Sequence, residues 1–263
     1  DAIETNNTYI QLNNLVLNKV YYFKVSAFNA GGESFPTETL SVRVSNNQAK
    51  LLIVNGFDRI DRDALLTKND TIGQNLRMIL RKMNAYDYIV QFAKSIDAYG
   101  LSFDSASNEA IKNNYISLLG YCAVLWVCGE ESSEDNTFDA TEQATVQNYL
   151  NSGGNLFISG AEIAWDLDWL NNGRSFYQSY LKAIYRDDDP YTNDEPINSV
   201  SGISGTIFEG LEGITFDNGN GEIYNVDYPD VIDINGGSVL NLQYNGSSEV
   251  YTGAGIQFNG SFK

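Results

Sequence analysis

Hydrophobic and polar positions along the chain follow two different rhythms, and the change falls near residue 46. Residues 9–12, 20–28 and 39–44 alternate apolar and polar side chains, as strands with one buried face do. Ala30, Gly31, Gly32, Glu33 and Ser34 form a turn-prone stretch between the last two of these. After a short polar linker at 46–50 the texture becomes that of strands alternating with helices. Aliphatic runs at 51–54, 88–92, 123–127 and 155–159 predict four strands, and 123–127, the most apolar, belongs at the centre of a sheet. Leu76, Ile79, Leu80 and Met83 share one helical face, so a helix capped by Asp70 is expected there. Asp139 and Glu142 form a capping box for a helix that Gly153 and Gly154 terminate. Short crossovers of this kind predict a parallel sheet with helices on both faces. Beyond residue 187 the alternation gives way to short β segments and Gly/Asn turns, a β-rich extension over 199–263.

Composition narrows the chemistry. Of 263 residues, 34 are acidic and 16 basic, a net charge of −18. This balance argues against nucleic acid or an anionic membrane as partner, since both require clustered Lys and Arg. The longest apolar run, 123–127, is far short of the roughly 18 residues of a membrane span. There is no histidine, which removes His-dependent triads, HExxH zinc sites and His acid/base catalysis from the chain. Cys122 and Cys128 fall six residues apart in the run 121–129, which would place both on one face if the whole run were a strand. They are then roughly 20 Å apart, too far to bridge. The acidic, Asn- and Tyr-rich surface fits an extracellular protein.

In a parallel α/β sheet, ligands bind beyond the carboxyl ends of the strands. Functional side chains crowd the corresponding positions: Asp58 and Arg59, then Cys128, Glu130, Glu131 and Ser132, then Ser159, Glu162, Trp165 and Asp166. Residues 102–109, read as a loop before the 123–127 strand, add Ser105 and Asn108. Helix caps and loop formers draw on the same residue types, so a ligand cleft and a plain polar rim both remain open. Glu130 or Glu131 with Glu162 is the candidate acid/base pair, of the kind glycosidases use. Trp165 and nearby tyrosines offer a surface on which a sugar ring can stack. The same carboxylates are candidates for a hard cation such as Ca²⁺. Asp187, Asp188, Asp189 and Asp194, and the acidic run 217–222, match no EF-hand spacing and read as solvated turns.

Two resemblances add to this. Leu15, Tyr21, Phe23, Val25, Ala27, Asn29, Gly32 and Ser34 resemble the second half of a fibronectin type III domain, in which a tyrosine near residue 21 would form the tyrosine corner. Segments 55–59, 102–109, 129–132 and 155–165, with the strings SFDSASNEA, GEES and GGNLFISGAEIAWDL, resemble a domain of secreted, multi-domain proteins of Bacteroidetes-type bacteria. That domain is similar in fold to class I glutamine amidotransferases, and its members often carry the names N-acetylmuramoyl-L-alanine amidase or xanthan lyase. The resemblance implies residues 1–46 as a partial fibronectin-like β-sandwich. It implies 47–263 as an α/β, parallel-sheet, three-layer sandwich (flavodoxin-like), truncated at its C-terminus. The first half of the fibronectin-like module and a further C-terminal segment are expected outside this chain. Amidotransferases need a Cys nucleophile activated by His on the turn after a strand; here that turn is Ser159, Gly160, Ala161, Glu162 and Ile163, so the familiar triad is excluded. The expectation is a non-catalytic binding or architectural module at the cell surface, contacting glycan or peptidoglycan. The alternative is a hydrolase or lyase acting on polysaccharide through Glu130, Glu131 and Glu162.

Overall fold

The structure, a computed structural model, describes residues 2–57, 59, 66–77, 87–192, 195–216, 226, 228–247 and 250–263. The N-terminal segment holds two small antiparallel pairs. β1 (Val20–Phe23) pairs with β4 (Leu40–Arg43), and β2 (Phe28–Asn29) with β3 (Gly32–Glu33). The Tyr21 hydroxyl accepts a hydrogen bond from the Val16 N–H at 2.9 Å, which fixes the chain just ahead of β1.

β5 (Leu51–Asn55) opens the parallel sheet. A β-hairpin of β6 (Leu66–Asp70) and β7 (Gly73–Arg77) follows. This overturns the helix expected from Asp70; its other marker positions, Ile79, Leu80 and Met83, lie outside the described residues. The spacing of Leu76, Ile79, Leu80 and Met83 is helical, but Thr71, Ile72 and Gly73 make a turn ahead of it. A second correction concerns residues 88–92, expected as a strand. They begin helix α1 (Tyr88–Ala98), whose Ile89, Ala93 and Ile96 are buried at i, i+4 and i+7. A five-residue window was too short to reveal that period.

The missing strand is β8 (Phe103–Ser107), inside the segment read as a loop. Only Phe103 and Ala106 are buried there, and the polar positions have tertiary partners. Ser105 Oγ takes the Ser41 N–H at 2.6 Å and donates to Ser41 O at 2.7 Å, while Asp104 accepts from the Tyr121 hydroxyl. An edge strand covered by β4 can be this polar and still pair, and that polarity disguised it. Helix α2 (Asn108–Lys112), β9 (Ala123–Gly129), α3 (Ser132–Asp135), α4 (Ala140–Asn151) and β10 (Leu156–Gly160) complete the unit.

The strand order is β10-β9-β5-β8, all pairs parallel, with β9 and β5 interior. Alternate residues of β5 serve opposite faces. Leu52 and Val54 pack with Val146, Tyr149 and Leu150 of α4, and Ile53 packs with Ile89 and Ala93 of α1. Helices thus cover both faces, as the crossover rule requires. Val20 and Leu40 join the α1 side, and Arg43 pairs with Asp97 of α1 at 2.8 Å, so the N-terminal hairpin is seated on this face.

A π-helical turn (Trp165–Trp169), α5 (Arg174–Phe176) and a second π-helical turn (Tyr177–Leu181) lead to β11 (Ala183–Asp188). The short pair β12 (Tyr191–Thr192) and β13 (Glu195–Pro196) follows. β14 (Ser199–Gly202), β15 (Ile214–Thr215), β16 (Asp230–Ile234), β17 (Val239–Tyr244) and β18 (Gly253–Gln257) join β11 in an antiparallel sheet of order β11-β16-β18-β17-β14-β15. The β-rich C-terminal region expected from the sequence is this sheet, and the whole is a mixed α/β fold. No described helix is long and apolar enough to cross a membrane.

Candidate functional site

Beyond the carboxyl ends of the parallel strands the structure places two carboxylate neighbourhoods. The first follows β5 and β9. Gly129 ends β9 with φ +54, and a Cβ there would lie 2.1 Å from the Phe57 ring, so only glycine lets the β5 and β9 ends close together. Glu131, 2% exposed, accepts the Arg59 N–H on Oε2 at 3.1 Å, and the Arg59 guanidinium donates to the Glu130 carbonyl at 3.1 Å. Asp58 lies outside the described residues. Burial, with Glu131 and Glu142 as charged neighbours, holds the Cys128 thiol well above its ordinary range, the wrong direction for a nucleophile. Both cysteines are free, Cys122 exposed and Cys128 buried.

Behind this rim, α4 begins with the capping box expected from the sequence. Asp139 accepts the Thr141 and Glu142 N–H groups, and Glu142 reaches back to the Asp139 N–H at 2.8 Å. Burial pushes the Glu142 carboxyl up to about 7, against the opposing pull of the Asp139 N–H and the Asn108 amide. Asn108, the first residue of α2, also accepts the Glu109 N–H at 3.0 Å. Asp166, fully buried, takes the Thr137 N–H at 2.9 Å and the Asn172 amide at 2.6 Å. Its two oxygens fasten the π-helical turn to the loop before α4. Ser105 is committed to Ser41 across the β4–β8 contact.

The second neighbourhood lies past β10, where the chain meets β11 and β16. Asp230 accepts the Ala164 N–H on Oδ2 at 2.6 Å and the Trp165 N–H on Oδ1 at 3.1 Å, capping the π-helical turn from another sheet. Burial drives its carboxyl well above the ordinary range despite those two donors, and Glu162 and Asp188 add to the push. Asp188 is raised to about 6 by burial, then by the charges of Glu162, Asp189 and Asp187. Three aromatic rings adjoin this acidic group. Trp165 and Trp169 stack at 6.1 Å and 20°, and Tyr185 meets them at 6.0 and 5.5 Å. Asp168 secures the arrangement: it accepts from Arg174, Gln178 and the Tyr185 N–H, the last at 2.9 Å. Trp169 remains 58% exposed, so the shelf has a face open to solvent.

Glu131 therefore keeps company with Arg59 and Cys128, and Glu162 with Asp188, Asp230 and Tyr185. Ser159 is exposed on β10. The sequence reading missed Trp169, Tyr185 and Asp230. Trp165 and Trp169 at i, i+4 were a legible signal, since that spacing places both on one side of a helical turn. Asp230 arrives from 65 residues away and left none. Among the described residues, no group of three or more Cys, Asp or Glu side chains is placed to hold a metal ion; Asp58, Asp194 and the acidic run 217–222 lie outside the described residues.

Comparison of the chain with protein-family models, with curated proteins and with solved structures finds no match.

Proposed function

We propose that this chain is a non-catalytic binding or architectural module of a secreted, multi-domain bacterial cell-surface protein, and that it contacts glycan. The observation that carries the reading is how its carboxylates are engaged. Glu131, Asp166 and Asp230 each accept backbone N–H groups, which orients them toward the protein rather than toward a substrate. An acid/base pair needs two carboxyls facing one another across an open cleft, roughly 5–9.5 Å apart. The shelf of Trp165, Trp169 and Tyr185 supports the glycan assignment, because aromatic faces stack on the apolar faces of sugar rings while neighbouring carboxylates accept their hydroxyls.

The fibronectin-like reading of residues 1–46 draws support from the Tyr21 hydroxyl bonded to the backbone five residues upstream, the pattern of a tyrosine corner. The amidotransferase-like reading of 47–263 draws support from the parallel sheet with helices on both faces. Fold alone carries no activity. A second reading, a polysaccharide hydrolase or lyase, is favoured by one observation: Asp188, raised to about 6 beside Glu162, has the poise of a general acid. A glycan array probed with the chain, followed by product analysis on each hit, tests both readings. Binding without turnover supports the module, and turnover abolished by Glu162→Gln supports the enzyme.

A further inference from the structure

The aromatic shelf carries a charge character as well as an apolar face. Tyr185 stands on β11, and the β11–β16 register shifts between it and Asp187. A bulge of this kind re-aims the side chains beside it. Arg186, the residue between them, is committed to Asp233 at 2.7 Å and lies over the Tyr251 ring at 4.5 Å. Four carboxyls act on the Tyr185 phenol: burial first, then the charges of Asp188, Asp230, Asp187 and Glu162, hold its hydroxyl above the ordinary range.

The basic side chains of this region are already balanced. Arg174 pairs with Asp168 at 3.0 Å, and Arg186 with Asp233. Among the described residues, no lysine or arginine pairs with Asp187, Asp188 or Asp230. Two backbone N–H groups serve the Asp230 carboxyl. The Asp188 carboxyl has no such service, and its Oδ1 is shut off from solvent without a hydrogen-bond partner. A carboxylate lacking a counter-charge beside stacked aromatic rings attracts a cation, because the negative π faces of Trp and Tyr add to the attraction of the acid. The same surface repels uronate, sulfate and phosphate groups.

We propose that the shelf of Trp165, Trp169 and Tyr185 selects glycans built of amine-bearing sugars of the glucosamine type, the sugar ring resting on the exposed Trp169 and its ammonium directed to Asp188. This inference rests on the glycan reading above and narrows it to a substrate class. An amine carried directly on the ring keeps its charge close to whichever face is stacked, so one sugar unit makes both the aromatic and the carboxylate contact. N-acetylation turns that ammonium into a neutral amide: the ring still stacks, and the charge contribution is lost. The Trp165 backbone is held by Asp230 and the Tyr185 backbone by Asp168, so the shelf is organised before a ligand arrives.

The test is titration calorimetry of the 263-residue chain with oligomers of glucosamine and of N-acetylglucosamine of equal length, at mildly acidic pH and low salt. The expected result is at least about tenfold tighter binding of the amine oligomer. Asp188→Asn is expected to cut that preference at least about threefold without affecting the acetylated oligomer, and Asp188→Glu to keep it. Trp169→Ala is expected to weaken both oligomers. Equal affinity for the two oligomers, both lost in Trp169→Ala, overturns the amine preference and leaves the glycan reading standing. Binding of neither oligomer also overturns the preference, and retention of the chain by another polysaccharide then separates this failure from failure of the glycan reading. A preference unchanged in an Asp188→Asn variant that still melts cooperatively removes Asp188 from the site and overturns the proposal. A preference undiminished in Trp169→Ala traces to the overall charge of −18 and overturns it as well. Displacement of the amine oligomer by an equal concentration of a lysine oligomer of the same charge overturns the sugar assignment, because the ring would then contribute nothing.

Discussion

Glu131 at the end of β9 is almost wholly buried against the Arg59 backbone, whereas Glu162 past β10 stands among Asp187, Asp188, Asp189 and Asp230. Both follow a parallel strand by two residues, and both belonged to the same expected carboxylate set. The first neighbourhood is closed by glycine packing: Gly129 admits the Phe57 ring, and Arg59 ties the two loops together. The second is built from a π-helical turn, one strand end of the antiparallel sheet and an exposed tryptophan. Position at a strand end therefore does not decide whether a carboxylate is structural. What decides it is whether backbone N–H groups reach it and whether a surface lies open beside it. The closed neighbourhood holds the fold together; the open one is where a ligand can rest.

The largest effect should come from forcing the closed neighbourhood apart. Gly129→Ala places a methyl into the Phe57 ring at a positive φ, so a loss of roughly 2–4 kcal/mol in chemical denaturation is expected. A cost below about 0.5 kcal/mol would mean that the rim is looser than its packing suggests.

Next in size is the effect of pH on Glu142. Its carboxyl sits at about 7 when folded, above the ordinary 4.5, because burial disfavours the charged form. The resulting stability is fully present below about 4.5 and is lost as pH rises through about 7, on the order of 2–3 kcal/mol. Asp188, raised to about 6, acts in the same direction from the open neighbourhood. Melting temperature should therefore fall between pH 5 and pH 8. Glu142→Gln keeps a capping-box side chain at that position and should make the fall measurably shallower, with Asp188→Asn removing a smaller part and the buried Asp230 carboxyl contributing to what remains. An unchanged pH profile in Glu142→Gln would place the titration elsewhere.

Trp169→Ala should leave stability within about 1 kcal/mol, because the ring is largely exposed, yet reduce glycan affinity at least tenfold by removing the shelf. Equal affinity in the variant moves the ligand off this surface. The smallest effect belongs to the thiols. Under native conditions a thiol reagent should label Cys122 promptly and Cys128 only on unfolding, and Cys122→Ala with Cys128→Ala should leave binding intact. Loss of binding in a variant that still melts cooperatively would give Cys128 a role that its burial argues against.

The interior strands β5 and β9 were legible because strands covered on both faces are short aliphatic runs, the edge strand β10 because Leu156, Phe157 and Ile158 make a similar run, and the α4 capping box because it is a local motif. β8 and α1 were not. Asp104, Ser105 and Ser107 make β8 read as a loop, and the partners that engage Ser105 and Asp104, Ser41 and Tyr121, are distant in sequence. α1 opens on Tyr88, Ile89 and Val90, a β-like triplet whose helical state is set by packing against Ile53 and Phe103. At the site, Glu131, Asp166 and Trp165 could be placed at strand ends from the sequence. What could not be read was which of them backbone amides would engage, since Asp166 meets Thr137 and Trp165 meets Asp230 only through tertiary folding.

The most direct test of the central claim is a single experiment on an immobilised polysaccharide panel, with bound protein and newly released sugar ends measured together for the parent chain, Trp169→Ala and Glu162→Gln. The account predicts retention of the parent chain and of Glu162→Gln, loss of Trp169→Ala, and no sugar ends released by any of them. Sugar ends released by the parent chain and abolished in Glu162→Gln would contradict it.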